Sequence, residues 1–175
     1  FASTLVNSIN ECLSTDQYRG QADGRRNGNG QAAGPDGPER FEPGCFRDFR
    51  ILLAEDIPIN SEIAMTLLED TGVQIDCAQN GLEAYRMFRD DQNLYDLILM
   101  DIHMPEVDGY EATRRIRNIG SRKALAVPIV AMTANVFRED IEKCLEAGMN
   151  DHIGKPLDMA EIMSKLGKYL KRPAE

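Results

Sequence analysis

Glu55, Asp56, Asp101, Thr133 and Lys155 are the residues whose types and placing could handle a phosphoryl group. Glu55 and Asp56 follow one short apolar run, Asp101 follows another, Thr133 closes a further one, and Lys155 ends a weaker stretch. Carboxylates brought together raise one another's pKa and destabilise a site unless a cation neutralises them. Mg²⁺ is the natural neutraliser, since it prefers oxygen ligands and often bridges carboxylate to phosphate. Lys155 would add a point charge and Thr133 a hydroxyl donor, while Ala134 leaves the approach open. A carboxylate nucleophile, a metal, an ammonium and a hydroxyl make a cradle for phosphoryl transfer, whose catalysis is mainly positioning and electrostatics.

Convergence requires a scaffold that brings the ends of these runs together. Apolar runs lie at Arg50 to Ala54, Val73 to Ala78, Tyr95 to Met100, Val127 to Met132 and, more weakly, Asp151 to Gly154. Between them apolar residues recur at helical spacing: Ile59, Ile63 and Leu67; Leu82, Tyr85 and Phe88; Tyr110, Thr113 and Ile116; Phe137, Ile141, Cys144 and Leu145. A last helix is expected from Asp158, with Glu161 three residues on completing a capping-box pattern ahead of Ile162, Met163, Leu166 and Leu170. Asn80-Gly81 and Asp108-Gly109 each precede a helical pattern, so they are read as caps and not as hairpin turns. Alternation of strand and helix five times over predicts an α/β fold, a parallel sheet with helices on both faces. In the doubly wound order 2-1-3-4-5, strands one and three are neighbours at the switch point where such sheets bind ligands. The acidic residues fall there.

The segments Ile51-Leu-Leu-Ala-Glu-Asp56, Tyr95-Asp-Leu-Ile-Leu-Met-Asp-Ile-His-Met-Pro-Glu-Val-Asp-Gly109, Val127-Pro-Ile-Val-Ala-Met-Thr-Ala134 and Ile153-Gly-Lys-Pro156 resemble, in order, the four signature blocks of response-regulator receiver domains. The likeness runs from about Phe49 to Leu170. It implies the flavodoxin-like (βα)5 fold with Asp101 as phosphoacceptor, Glu55 and Asp56 as the acidic pair holding Mg²⁺, and the backbone carbonyl of His103 as a further metal ligand. It also implies Thr133 as the switch hydroxyl and Lys155 as the lysine before a proline whose peptide bond is usually cis. The Asp-Ile-Pro-Ile-Asn60 turn and the closing Lys-Pro-Leu-Asp158 are similar to receivers fused to hybrid sensor histidine kinases.

Two positions depart from the commoner family pattern. His103 is often Met in hybrid-type receivers, and His152 stands where Tyr or Phe usually serves as a rotating switch. His103 either orients water or faces solvent. His152 is read either as a pH-sensitive switch or as a half-buried ring satisfied by a backbone partner.

At 175 residues the chain can bury one sound core. Its 29 acidic against 20 basic residues disfavour general attraction to nucleic acid or anionic lipid. The four cysteines form no Cys-x-x-Cys unit, which fits a reducing cytoplasm, although a parent protein anchored in a membrane is compatible with this. Residues 1–14 are read as an amphipathic helix whose Leu5, Val6, Ile9 and Leu13 repeat the spacing of the last helix, so a preceding receiver-like domain stays open. Residues 15–46 are read as a Gly-rich linker, 47–171 as the receiver domain and 172–175 as a tail. The Gly28 to Gly34 stretch follows no strand, which argues against a dinucleotide loop.

The expected partners are a histidine kinase or a histidine phosphotransfer domain, with homodimerisation through the face around the last helix as a further option. No nucleic acid or membrane contact is expected of this stretch. The start at Phe1 suggests a piece of a longer protein, with the C-terminal receiver of a hybrid kinase favoured over a stand-alone regulator. Neither autokinase histidine nor ATP-binding region is seen, so no enzyme is expected beyond self-catalysed phosphoryl acceptance and slow autodephosphorylation. An aspartate-based phosphohydrolase is the rival from another class. It would need a second Asp two residues past the nucleophile, where His103 stands.

Overall fold

The computed structural model describes residues 42–134 and 137–171. The expected N-terminal helix, most of the linker and the tail lie outside them. Five strands, β1 (Arg50–Ala54), β2 (Gln74–Ala78), β3 (Leu97–Asp101), β4 (Ile129–Thr133) and β5 (Asp151–Gly154), form a parallel sheet in the order β2-β1-β3-β4-β5. The connecting helices are α1 (Pro58–Leu68), α2 (Gly81–Asp90), α3 (Gly109–Asn118), α4 (Arg122–Ala126), α5 (Arg138–Ala147) and α6 (Met159–Tyr169).

The central strands are buried on both sides, and their alternate residues feed two separate cores. Leu52, Ile98, Met100, Ile129 and Ala131 pack with Phe88 of α2, Ile116 of α3 and Cys144 of α5. Ile51, Leu53, Leu97, Leu99, Val130 and Met132 pack with Leu68 of α1 and with Ile162 and Leu166 of α6. Two layers of helix therefore clamp the sheet, and its strand ends emerge along one rim.

The helix starts follow from the chain's own caps. Asn80, Asp108 and Asp158 each accept a hydrogen bond from the backbone N–H three residues on, at 2.8, 2.8 and 3.0 Å. Each bond satisfies one of the orphan donors that open a helix. Glu161 does not fold back onto its own cap; its carboxylate accepts from Gly154 N–H at 3.4 Å and ties α6 to the end of β5.

Several boundaries differ from the sequence expectation. Strand β2 starts at Gln74, β3 at Leu97 and β4 at Ile129, and the last two run on through Asp101 and Thr133. Helix α4, capped by Ser121, was not expected; five residues are too short to show a helical period. The apolar stripes read for α1 and α5 mark the buried faces only in part, through Leu67 and Cys144. Ile59, Ile63, Phe137 and Leu145 are exposed, and the helices bury the smaller Ser61 and Ala64, and Cys144 and Ala147. The packed body also begins ahead of residue 47, where linker was expected. Phe46 is buried, meets Phe49 edge to face at 6.2 Å, and donates its N–H to Thr71 O.

Arg117 closes the fold away from the carboxylate rim. Its guanidinium donates to Gly148 O after α5, to Ala124 O and Val127 O at the end of α4, and to Asn150 Oδ1. All of these acceptors are neutral. Burial lowers the pKa of the guanidinium from its ordinary value, yet five donors in a fixed fork let it meet this set.

Candidate functional site

Strand register assembles the site. Ala54 pairs with Met100, Asp101 with Met132, and Thr133 with Gly154, so the residues ending β1, β3, β4 and β5 stand side by side. Lys155 N–H donates to Thr133 O at 2.7 Å and carries the chain past the rim, and the Lys155-Pro156 peptide bond is cis. Gly109 opens α3 against the strand end it follows. A methyl group there would lie 2.2 Å from the Asp101 carbonyl oxygen, so the close approach needs glycine.

Glu55, Asp56 and Asp101 each place one carboxylate oxygen within 4.8 Å of the others. Lys155 Nζ lies 2.6 Å from Glu55 Oε2 and 2.8 Å from Asp101 Oδ2. The remaining Asp101 oxygen, Oδ1, accepts from His103 N–H at 3.3 Å, while the His103 side chain is exposed. Glu55 Oε1 accepts from Asn60 Nδ2 at 2.9 Å and from Ile57 N–H at 3.3 Å. Thr133 is buried at the end of β4. Among the described residues, Asp56 Oδ1 is the buried side-chain oxygen without a hydrogen-bond partner.

One ammonium among three carboxylates leaves the site short of positive charge. Burial pushes the Asp101 carboxyl above its ordinary value; Lys155 pulls it down and Glu55 pushes it further up. Burial would lower the Lys155 ammonium, but its bonds to Asp101 and Glu55 outweigh that and hold it above the usual lysine value. The two shifts have different causes: burial dominates at Asp101, and the pair of anions around one ammonium dominates at Lys155. A hard divalent cation fits this donor set. The oxygens are close, the charge deficit is real, and the buried Asp56 Oδ1 has no hydrogen-bond partner.

The residues selected from sequence do not all meet here. Glu55, Asp56, Asp101 and Lys155 converge, Thr133 lies on the adjoining strand end, and His103 contributes its backbone N–H. His152 is part-buried on β5, and its Nδ1 lies 3.9 Å from the Asp151 carboxylate. Sequence reasoning missed Asn60 as a partner of Glu55, and it placed Lys155 opposite Asp101 without seeing that it binds Glu55 as well.

A profile of the response regulator receiver domain matches residues 51–167. Hybrid signal transduction histidine kinase B of Dictyostelium discoideum is 43% identical over 128 residues, a match covering 68% of this chain. The chain spans only 6% of the length of that relative. Among solved structures, the receiver domain of a sensor histidine kinase from Pseudomonas aeruginosa PAO1, with a magnesium ion coordinated in its active site cleft, is 39% identical at a TM-score of 0.63, covering 70% of this chain and 97% of that one. A Saccharomyces cerevisiae co-crystal of a histidine phosphotransfer signaling protein with the receiver domain of its downstream response regulator matches at 28% identity and a TM-score of 0.64, covering 74% of this chain and 91% of that one. No helix among the described residues is long and apolar enough to cross a membrane.

Proposed function

The chain belongs to the response regulator receiver domain family, and on that premise we propose that it accepts a phosphoryl group from a phosphohistidine onto Asp101 in a two-component phosphorelay. The observation that carries this reading is the meeting of Glu55, Asp56 and Asp101 within 4.8 Å, with Lys155 Nζ 2.8 Å from Asp101. The magnesium in the Pseudomonas receiver and the phosphotransfer partner of the yeast receiver support it by likeness. The hybrid kinase relative favours a receiver fused to a histidine kinase over a stand-alone regulator. A cytoplasmic setting goes with that reading.

The chain's own residues divide the work. Asp101 is the nucleophile: a carboxylate oxygen forms the new O–P bond as the P–N bond of the donor breaks, its electron pair leaving with the imidazole. Glu55, Asp56, Asp101 and the His103 carbonyl are the groups that would hold Mg²⁺. When bound, the metal neutralises charge on the phosphoryl oxygens. Lys155 draws off more of that charge and thereby leaves Glu55 for the incoming group. Thr133, buried beside the strand end, donates its hydroxyl to the product phosphate. That bond biases the segment between β4 and α5 toward a second arrangement. Any switching by His152 would act through Asp151, whose Oδ1 lies 3.9 Å from its Nδ1 and accepts its N–H at 3.0 Å.

Incubation of the protein with a small phosphodonor and Mg²⁺ tests the proposal. One phosphoryl group per chain, absent from Asp101→Asn, is the expected result. Many turnovers per chain would favour a phosphohydrolase, and labelling of Asp101→Asn at the original rate would discard the assignment.

A further inference from the structure

Asn60 sits in the first turn of α1, where its side chain forgoes the usual task of a polar residue near a helix start. The N-cap of α1 is Ile57, which makes no side-chain cap, and Pro58 opens the helix. Asn60 instead donates Nδ2 to Glu55 Oε1 at 2.9 Å, and the Ile57 N–H reaches the same oxygen at 3.3 Å. A short polar side chain near a helix start usually bonds the free backbone donors there, and Asn60 bonds Glu55 instead.

A glutamate's terminal torsion is broad and roughly two-fold, so its carboxylate does not hold one orientation by itself. Glu55 is buried, and its Oε2 must face the shared Lys155 ammonium. Two neutral donors on Oε1 fix that orientation without consuming positive charge. The links then run as a chain: Asn60 to Glu55, Glu55 to Lys155, and Lys155 to Asp101.

From this we infer that Asn60 is a positioning residue of the cation and phosphoryl site, setting the Glu55 carboxylate and through it the Lys155 ammonium. The inference rests on the phosphoacceptor reading. Groups that orient metal-site carboxylates typically change metal affinity about 10- to 100-fold when removed. Asn60→Leu keeps the shape and removes the donor, and Asn60→Gln keeps an amide donor.

Mg²⁺ titrations of the whole chain followed by amide NMR provide the test. Asn60→Leu is expected to weaken Mg²⁺ binding about tenfold and to shift the Ile57 amide signal, with the urea midpoint little changed. Asn60→Gln should recover part of the affinity. Wild-type affinity in Asn60→Leu, or equal weakening in both variants that merely follows lost stability, would overturn the inference. Asp56→Asn serves as the control. If the wild-type chain binds Mg²⁺ and Asp56→Asn does not, the cation site stands whatever Asn60 does; if the wild type binds none, the phosphoacceptor reading fails first.

Discussion

The ammonium of Lys155 lies 2.6 Å from Glu55 Oε2, a contact between residues one hundred positions apart that holds the last strand end against the first. The same nitrogen reaches Asp101 at 2.8 Å, so Lys155 neutralises the ground state as well as facing the reacting carboxylate. Replacing it separates those roles. Lys155→Ala should lower the rate of phosphoryl acceptance by about 10²-fold, the usual loss for one preorganised charge. Mg²⁺ affinity should hold or rise, because a competing cation has gone. Parallel rate and titration measurements check both halves, and weakened Mg²⁺ binding would contradict the second.

Metal should also stabilise the fold, since it binds the native carboxylate arrangement. At a free Mg²⁺ concentration one hundred times the dissociation constant, the gain is about 2.7 kcal/mol by mass action. Urea denaturation in Mg²⁺ and in chelator should differ by that order for the wild type. Asp56→Asn, which alters the carboxylate with the unpartnered Oδ1, should show almost no difference.

Gly109 gives a steric test. Gly109→Ala places a carbon 2.2 Å from the Asp101 carbonyl and should cost about 3 kcal/mol, at the upper end for overpacking. Gly120 is the contrast: its φ is +73° but an added Cβ meets nothing nearer than 3.9 Å. Gly120→Ala should therefore cost only about 1 kcal/mol, through backbone strain alone. Equal losses in the two variants would mean that the contact with Asp101 is easily relieved.

Asp151 fixes the far edge of the sheet to α6, through Lys165 and Lys168 at 2.7 Å each and the Tyr169 hydroxyl at 3.1 Å. Burial alone would raise this carboxyl, but the lysine bonds and the His152 N–H outweigh it and hold it well below the usual range. A carboxyl depressed in the folded state stabilises fully above its unfolded pKa, about 3.9, and loses that contribution as pH falls toward the folded value. Asp151→Asn should thus cost about 1 to 2 kcal/mol at pH 7, discounted for solvent around the lysines. The gap between wild type and variant should stay level from pH 7 to 5 and narrow below pH 4. Denaturation curves across that range measure it, and a gap that widened in acid would reverse the sign.

Much of this architecture was legible because local rules and long-range needs agree. The continuous run Leu97-Ile-Leu-Met100 could only be a strand buried on both sides, and Asn80, Asp108 and Asp158 announced helix starts that the structure keeps. The carboxylate cluster followed once strands one and three were neighbours. What sequence hid was chosen by tertiary packing. Ile59 and Ile63 look like a core stripe, yet the face that α1 buries runs through Ser61, Ala64 and Leu68. Asn60 reads as an ordinary polar helix position until Glu55 is seen beneath it. Arg117 looks like one more surface cation, and nothing local reveals that its acceptors lie up to 33 positions away.

Arg117 also determines how strain can travel. Its single planar group is stitched to the segment after α5, to the exit of α4 and to Asn150, whose Oδ1 also receives the Ile129 N–H that begins β4. Those pieces form one rigid knot at the floor of the molecule. Helix α5 is thereby anchored at its Gly148 end and, at its Phe137 end, begins without a side-chain cap. The two ends of α5 are therefore secured unlike one another: a side chain from α3 grips the turn that follows Gly148, while the start at Phe137 relies on backbone bonds such as Asp140 N–H to Phe137 O.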